Sequence, residues 1–302
     1  MITRDTAVFT ALARRGAADF GPACARAAFL VTPEAFALAE QSASDNTYMD
    51  LSVAVDPLRA LAQHRELHRA LATALPTVAF PGDPEAPDGV FPNNVFATAP
   101  GKLILGHMRH PVRQREAGRA DIRGFFAAMG HVLVDLRAQP GICELTGALI
   151  IDRARGLGYA GLTERCDEAG AAAMHAAFGL RATLMFDLAP GEYHTNVVMS
   201  VLAGRALMVC PTGFADPAVA AAIGALYAPH VVELSPAQKA AFAGNGIALS
   251  PDRVWLSQAG ADALVPAQRD VLAKAGFTVA PVVLDEIEKA GGSLRCCVAE
   301  IY

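Results

Sequence analysis

Four polar residues, Asn94, Glu144, His194 and Asn245, each stand just before a segment that reads as a β-hairpin, at intervals of about fifty residues. A repeat that sets a different catalytic-type side chain at the same point of each unit predicts a closed, pseudo-symmetric ring with one shared site on its axis. The hairpins are apolar or alternating runs broken by turn residues: VFATAPGKLIL, ALIIDRARGLGYAGL, VVMSVLAGRALMVC and GIALSPDRVWL. Ala-rich stretches with helical spacing follow, Glu116 to Met129, Glu164 to Phe178, Asp216 to Tyr227 and Asp262 to Ala275. Three of them lead into another short strand, HVLVDL, ATLMFDL and FTVAPVVL, so the unit is strand, strand, helix, strand. AAFLVT, a helix near Pro57 to Ala74, TVAF and the final RCCVAEIY supply a fifth unit split across the two ends of the chain. A ring joined in this way would leave no exposed sheet edge.

With 302 residues, 53% apolar and 18% charged, and with no Ser-, Pro- or Gly-rich linker, the chain is expected to form one α/β domain over residues 1–302. A net charge of −5 gives no basic stripe for nucleic acid. Apolar runs are strand-length, well short of the roughly 20 residues a bilayer crossing needs. The N-terminal stretch has no signal-peptide core, since Asp5 and Asp19 interrupt it. Residues 1–26 therefore read as a helical extension of a cytoplasmic protein, and a homo-oligomer is compatible with the composition. His64 and His68 in HRELHR lack the further ligand and acid of a metal site and read as a solvated helical face. His107 and His110 read as an exposed polar loop, and the acids of DEIEKAGG as cover over a short helix. No metal and no organic cofactor is expected.

Cys24, Cys143, Cys166 and Cys210 are scattered and read as buried small hydrophobes. Cys296 and Cys297, in GGSLRCCVAE, are adjacent. On a strand, neighbouring side chains face opposite ways, which predicts that Cys296, nearer the glycine loop, faces a site while Cys297 faces the core.

The segments PDGVFPNNVF, CELTGALIID, GYAGLTER, EYHTNVVMS and GGSLRC occur in the order seen in the guanidino-group modifying enzymes, which this chain resembles from about Phe29 to Tyr302. That group comprises arginine deiminases, dimethylarginine dimethylaminohydrolases, amidinotransferases and succinylarginine dihydrolase. The motifs are most similar to arginine deiminase-related proteins of the citrulline-utilisation hydrolase type. The resemblance implies a five-bladed pseudo-symmetric α/β propeller, the pentein fold. It also implies a cysteine-dependent hydrolase of an arginine-like small molecule, with Cys296 as nucleophile, His194 as acid and base, and Glu144 as the carboxylate that orients the histidine.

For substrate grip, Asp88, Asn93 and Asn94 match a motif that contacts the substrate, and Arg113 and Arg165 match arginines that hold its α-carboxylate. Asn94 and Asn196 depart from the pattern, because arginine deiminases carry aspartates there to clasp the guanidinium. Two amides favour a neutral ureido group, hence citrulline-type hydrolysis or an arginine dihydrolase that takes its ureido intermediate through a second turnover. Conversion of dimethylarginine or arginine to citrulline is the alternative, an amidinotransferase is another, and a binding-only propeller a third. Asn245, followed by glycine, reads as a structural turn residue.

Overall fold

Each of the four hairpins forms where its turn residues interrupt the apolar run. The computed structural model describes residues 1–15, 20–34 and 36–302 and contains sixteen strands among them. β4 (Phe96–Ala99) and β5 (Lys102–Leu105) reverse through Pro100 and Gly101, and Gly101 takes φ +69°, a left-handed conformation that side chains resist. β7 (Leu149–Asp152) pairs with β8 (Leu157–Leu162), β10 (Met199–Leu202) with β11 (Ala206–Val209), and β13 (Ile247–Ser250) with β14 (Arg253–Ser257), all antiparallel.

A helix then crosses to a third strand, parallel to the second. These third strands are β6 (Val132–Asp135), β9 (Ala182–Asp187), β12 (Val231–Glu233) and β15 (Thr278–Val282). The crossing helices, Ala120–Ala128, Glu168–Phe178, Pro217–Gly224 and Pro266–Lys274, begin and end on local signals. Asp167 and Asp216 accept backbone N–H bonds as N-caps, Pro217 and Pro266 stand at first helical positions, and Gly179 closes its helix at φ +64°. The sequence pattern placed third strands in three units only. The fourth also has one, β12, whose three residues are too few for alternation to register.

The fifth sheet joins the two ends of the chain. β16 (Ala299–Ile301) pairs antiparallel with β2 (Ala27–Val31), which pairs parallel with β3 (Thr77–Phe80) after the helix Pro57–Ala72. The fold is thus mixed α/β with five small sheets, four of them led by a strand that follows one of the repeated polar positions and the fifth by β16, after the cysteine pair. First strands of neighbouring sheets lie side by side, β16 against β4 and β10 between β7 and β13.

Hydrogen bonding does not merge the sheets, so the expectation of a ring without sheet edges is corrected: β3, β6, β12 and β15 each end a separate three-stranded sheet. The exception is β9, covered by β1 (Ile2–Thr3) running parallel to it. The N-terminal segment is therefore more than a helical extension, although its residues 16–19 lie outside the described part. The helix Thr6–Arg15 that follows β1 buries Phe9 to 1% exposure, its ring edge-on to Tyr159 at 5.5 Å. Among the described residues no helix is long and apolar enough to cross a membrane.

Removing the Phe9 ring leaves a cavity under β9, so Phe9→Ala should cost roughly 3–5 kcal/mol of unfolding free energy in urea titrations. Turnover per folded molecule should be unchanged. An unaltered urea midpoint would show that the N-terminal helix lies outside the cooperative core.

Candidate active site

A single helical turn precedes the first strand in four of the five units, and Asn93, Asn94, Glu144, His194, Asn196 and Cys296 sit on or cap these turns. Pro92–Asn94 leads to β4; Glu144 caps Leu145–Ala148 ahead of β7; His194 caps Thr195–Val198 ahead of β10; Leu294–Cys297 leads to β16. The cysteines are thus on a 3₁₀ turn, where consecutive side chains diverge by about a third of a revolution, and not on a strand as the alternation argument required. The separation survives the change of reason. Cys296 lines a narrow cavity with Asp88, Asn94, Arg113 and Arg165, whereas Cys297 is wholly buried. Cys296 is not exposed either, at 1%.

His194 and Glu144 are fully buried and joined, His194 Nε2 to Glu144 Oε2 at 2.9 Å. The carboxylate fixes the tautomer: Nε2 carries the proton, and Nδ1, which has no partner among the described residues, keeps its lone pair. Burial lowers the His194 pKa, more than the Glu144 hydrogen bond and charge raise it, so the imidazole is neutral at rest. Burial pushes Glu144 up, but Arg165, His194 and Arg113 outweigh it and hold the carboxyl at about 2. Gly147 is what lets the turns approach. A Cβ there would lie 2.8 Å from His194 Nδ1 and 2.6 Å from Asn94 Oδ1, so both atoms border one space that only glycine leaves open.

Two amides face the sulfur. Asn196 Nδ2 is 3.5 Å and Asn245 Nδ2 3.4 Å from Cys296 Sγ. Burial raises the Cys296 pKa, opposed by hydrogen bonding at the Ser293 backbone, by the two amides and by the Arg295 charge. The structural reading of Asn245 is corrected by this contact. Its Asn-Gly pair resembled a turn, yet the side chain is fully buried, donates to Asn196 O at 2.8 Å and accepts from Arg295 N at 2.9 Å. The fourth repeat position marked it; the dipeptide masked it.

Asp88 and Asn93 are buried beside the site. Asp88 Oδ2 accepts from Ser42 Oγ, while Asp88 Oδ1, Asn94 Oδ1 and both polar atoms of the Asn93 side chain have no partner among the described residues. Arg165 Nε donates to Asp45 at 3.0 Å, its Nη2 to Ser42 O at 2.8 Å, and its Nη1 is 3.6 Å from Glu144. Arg113 reaches the same cavity but holds Glu116 in a two-pronged pair, 2.7 and 3.0 Å, and donates to Phe91 O.

The segment over the cavity carried no motif and was missed. Ser42, Asn46 and Met49 line it, Asn46 Nδ2 donates to Gly291 O at 3.3 Å, and Tyr48 Oη to Glu192 at 2.9 Å. Tyr193 and the Gly291–Gly292 pair also line the cavity; their signal was the motif around them. His110 is not an exposed loop residue but is buried against Asp45 at 3.0 Å, and His107 Nδ1 pairs with Gly141 O at 2.8 Å. His64 likewise faces the interior rather than solvent, at 1% exposure, and burial pulls its pKa down to about 4.

Glu144 titrates near 4.5 unfolded and about 2 folded, so its contribution to stability is complete above pH 4.5 and is lost as the pH falls toward 2. Stability measured by denaturant titration should therefore decline over that window, and Glu144→Gln should flatten the decline. Equal slopes in the two proteins would assign the acid sensitivity to other carboxylates.

Comparison with known proteins supports the same class of chemistry. A curated N(G),N(G)-dimethylarginine dimethylaminohydrolase from Mycobacterium tuberculosis is 28% identical over 275 residues, 91% of this chain and 85% of that protein. The N-terminal domain of ArgZ, a cyanobacterial arginine dihydrolase, crystallised with substrate, superposes with a TM-score of 0.79 at 20% identity, covering 91% of this chain and 97% of that one. A dimethylarginine dimethylaminohydrolase variant carrying an S-methyl-L-thiocitrulline adduct gives a TM-score of 0.71 at 20% identity over 91% of this chain and 99% of that one. Residues 32–302 match the family described as N,N dimethylarginine dimethylhydrolase, eukaryotic, and the chain belongs to that family, within the guanidino-group modifying enzymes.

Proposed function

We propose that this hydrolase of guanidino C–N bonds takes arginine to ornithine through a bound ureido stage, on a propeller of five blades whose axis carries Cys296, His194 and Glu144. The observation that carries the reading is the pair of amides, Asn94 and Asn196, where a guanidinium clamp would need carboxylates. An amide accepts from the N–H groups of either, and its own N–H groups can donate to the oxygen that only the ureido group has. Asp88, whose Oδ1 has no partner among the described residues, remains as the acceptor for substrate N–H groups in either stage.

Cys296 is protonated at rest because burial outweighs its donors. A cationic substrate brings the charge that favours the thiolate. His194 Nδ1 takes the thiol proton, Sγ attacks the guanidinium carbon, and the same proton passes from His194 to the departing ammonia; the S-alkylthiouronium is then opened by water that His194 deprotonates, and that proton returns to Sγ as the C–S bond breaks. The ureido product is attacked again by Sγ. A second ammonia leaves, and hydrolysis of the thiocarbamate gives a carbamate that loses carbon dioxide to yield ornithine. Arg165 takes the substrate carboxylate in exchange for Asp45 when residues 36–56 move aside, since the space left between the lining residues holds little more than a water.

A chloroacetamidine inactivator should label Cys296, and Cys296→Ser should be inactive yet folded by circular dichroism. If Cys297→Ser is the dead variant and Cys297 the labelled position, the nucleophile is misassigned. Product analysis tests the rest. Arginine and citrulline should both give ornithine, and Asn94→Asp with Asn196→Asp should shift the product toward citrulline, each charge-assisted hydrogen bond being worth about 1.5–3 kcal/mol to a cation. Stoichiometric citrulline from arginine, or from dimethylarginine alone, would sink the ornithine reading and leave a simple deiminating or dimethylaminohydrolase activity.

A further inference from the structure

Four residues beyond Cys296, the inner strands line a second, small cavity that shares no lining residue with the first. Later residues of the first strands build it, among them Ser200 on β10 and Glu300 on β16, together with Arg153 and Arg295. Its side-chain charges do not cancel. Glu300 has both oxygens engaged, Oε2 by Arg295 Nη2 at 2.9 Å and Oε1 by Tyr302 Oη at 2.9 Å. That balances one arginine. Arg153 lies over the Tyr302 ring at 4.1 Å and has no ion pair among the described residues. Two further donors are stranded. Arg295 Nη1 and Ser200 Oγ are buried with no hydrogen-bond partner among the described residues, on side chains only 8% and 3% exposed. Water can satisfy a donor, but it cannot offset an excess positive charge.

We propose that this cavity binds a small monovalent anion, a halide or a short carboxylate, between Arg153 and Arg295 with Ser200 Oγ as a further donor. One positive charge and unused N–H and O–H groups fit a single negative charge that accepts hydrogen bonds and donates none. The site is coupled to the nucleophile. Arg295 N donates to Asn245 Oδ1 at 2.9 Å, and Asn245 Nδ2 faces Cys296 Sγ at 3.4 Å. An anion on the guanidinium screens the positive charge adjacent in sequence to Cys296 and so lowers the reactivity of that thiol. Binding stands apart from the catalytic assignment; only the coupling rests on Cys296 as nucleophile.

Bromide is the probe. Crystals of the full chain soaked in sodium bromide should show an anomalous peak between Arg153 and Arg295, lost in Arg153→Met and weakened in Ser200→Ala. In solution, chloroacetamidine labelling of Cys296, read by tandem mass spectrometry, should slow severalfold and saturably when bromide replaces gluconate at constant ionic strength. Arg153→Met should abolish that response. Displacement of bromide by formate or acetate would identify a carboxylate as the preferred occupant, and failure to displace would identify a halide. Crystals that bind bromide elsewhere but not in this cavity, or an undiminished peak in Arg153→Met, would overturn the site. A peak with labelling unaffected by bromide would overturn the coupling.

Discussion

A carboxylate with no contact to water has to be surrounded by positive charge or give up its own, and Glu144 is such a carboxylate. The arrangement around the site follows from that need. His194 supplies one hydrogen bond and Arg165 supplies charge; Arg165 is itself buried and takes Asp45 and Ser42 as its partners. Asp45 in turn holds His110 and Arg109. The orientation of the imidazole is thus tied, through three or four pairings, to the segment that covers the cavity. Opening that segment disturbs the electrostatics of the same histidine that would act once substrate is in place.

Much of the fold was legible because it is written in local terms. Hairpin turns, N-caps and alternating strands are read from a few neighbouring residues, and the split fifth unit followed once the other four were counted. Limits appeared where signals compete or are short. In the helix Pro57–Ala72, residues Ala60, His64, Leu67 and Leu71 are buried at helical spacing, so the period was present, but a histidine counts as polar and its inward position went unread. Asn245 was hidden by the glycine after it. The one-turn helices that precede the inner strands are too brief to leave any period, so Cys296 was placed on a strand when it stands on a turn.

The candidate residues fall into two groups for a physical reason. Asn94, Glu144, His194 and Asn245 stand at repeat positions, with Asn196 two residues after His194 and Cys296 about fifty residues past Asn245, and a repeated arrangement of turns brings them together without further instruction. Arg113, Arg165 and Asp88 converge on the same cavity, but each is already engaged by a neighbour, Glu116, Asp45 and Ser42 respectively. Ser42 and Glu116 stand on short helical turns, Glu40–Ala43 and Glu116–Gly118, and Asp45 follows the first, elements too brief to leave a local signature. Only tertiary structure shows that the stretch carrying Ser42 and Asp45 roofs the site.

The pairing of β16 with β2 has a consequence for the order of events during synthesis. The strand that follows Cys296 is completed by residues 27–31, so the sulfur reaches its place only when a contact spanning nearly the whole sequence has closed. Contacts so distant form late, because the intervening chain must lose its freedom first. A nascent chain can fold its inner hairpins and bury the Glu144–His194 pair while the thiol is still outside, or not yet made. The histidine and its carboxylate then wait in a formed cradle without the sulfur, and the full set of side chains comes together in a single step, when β2 and β16 pair.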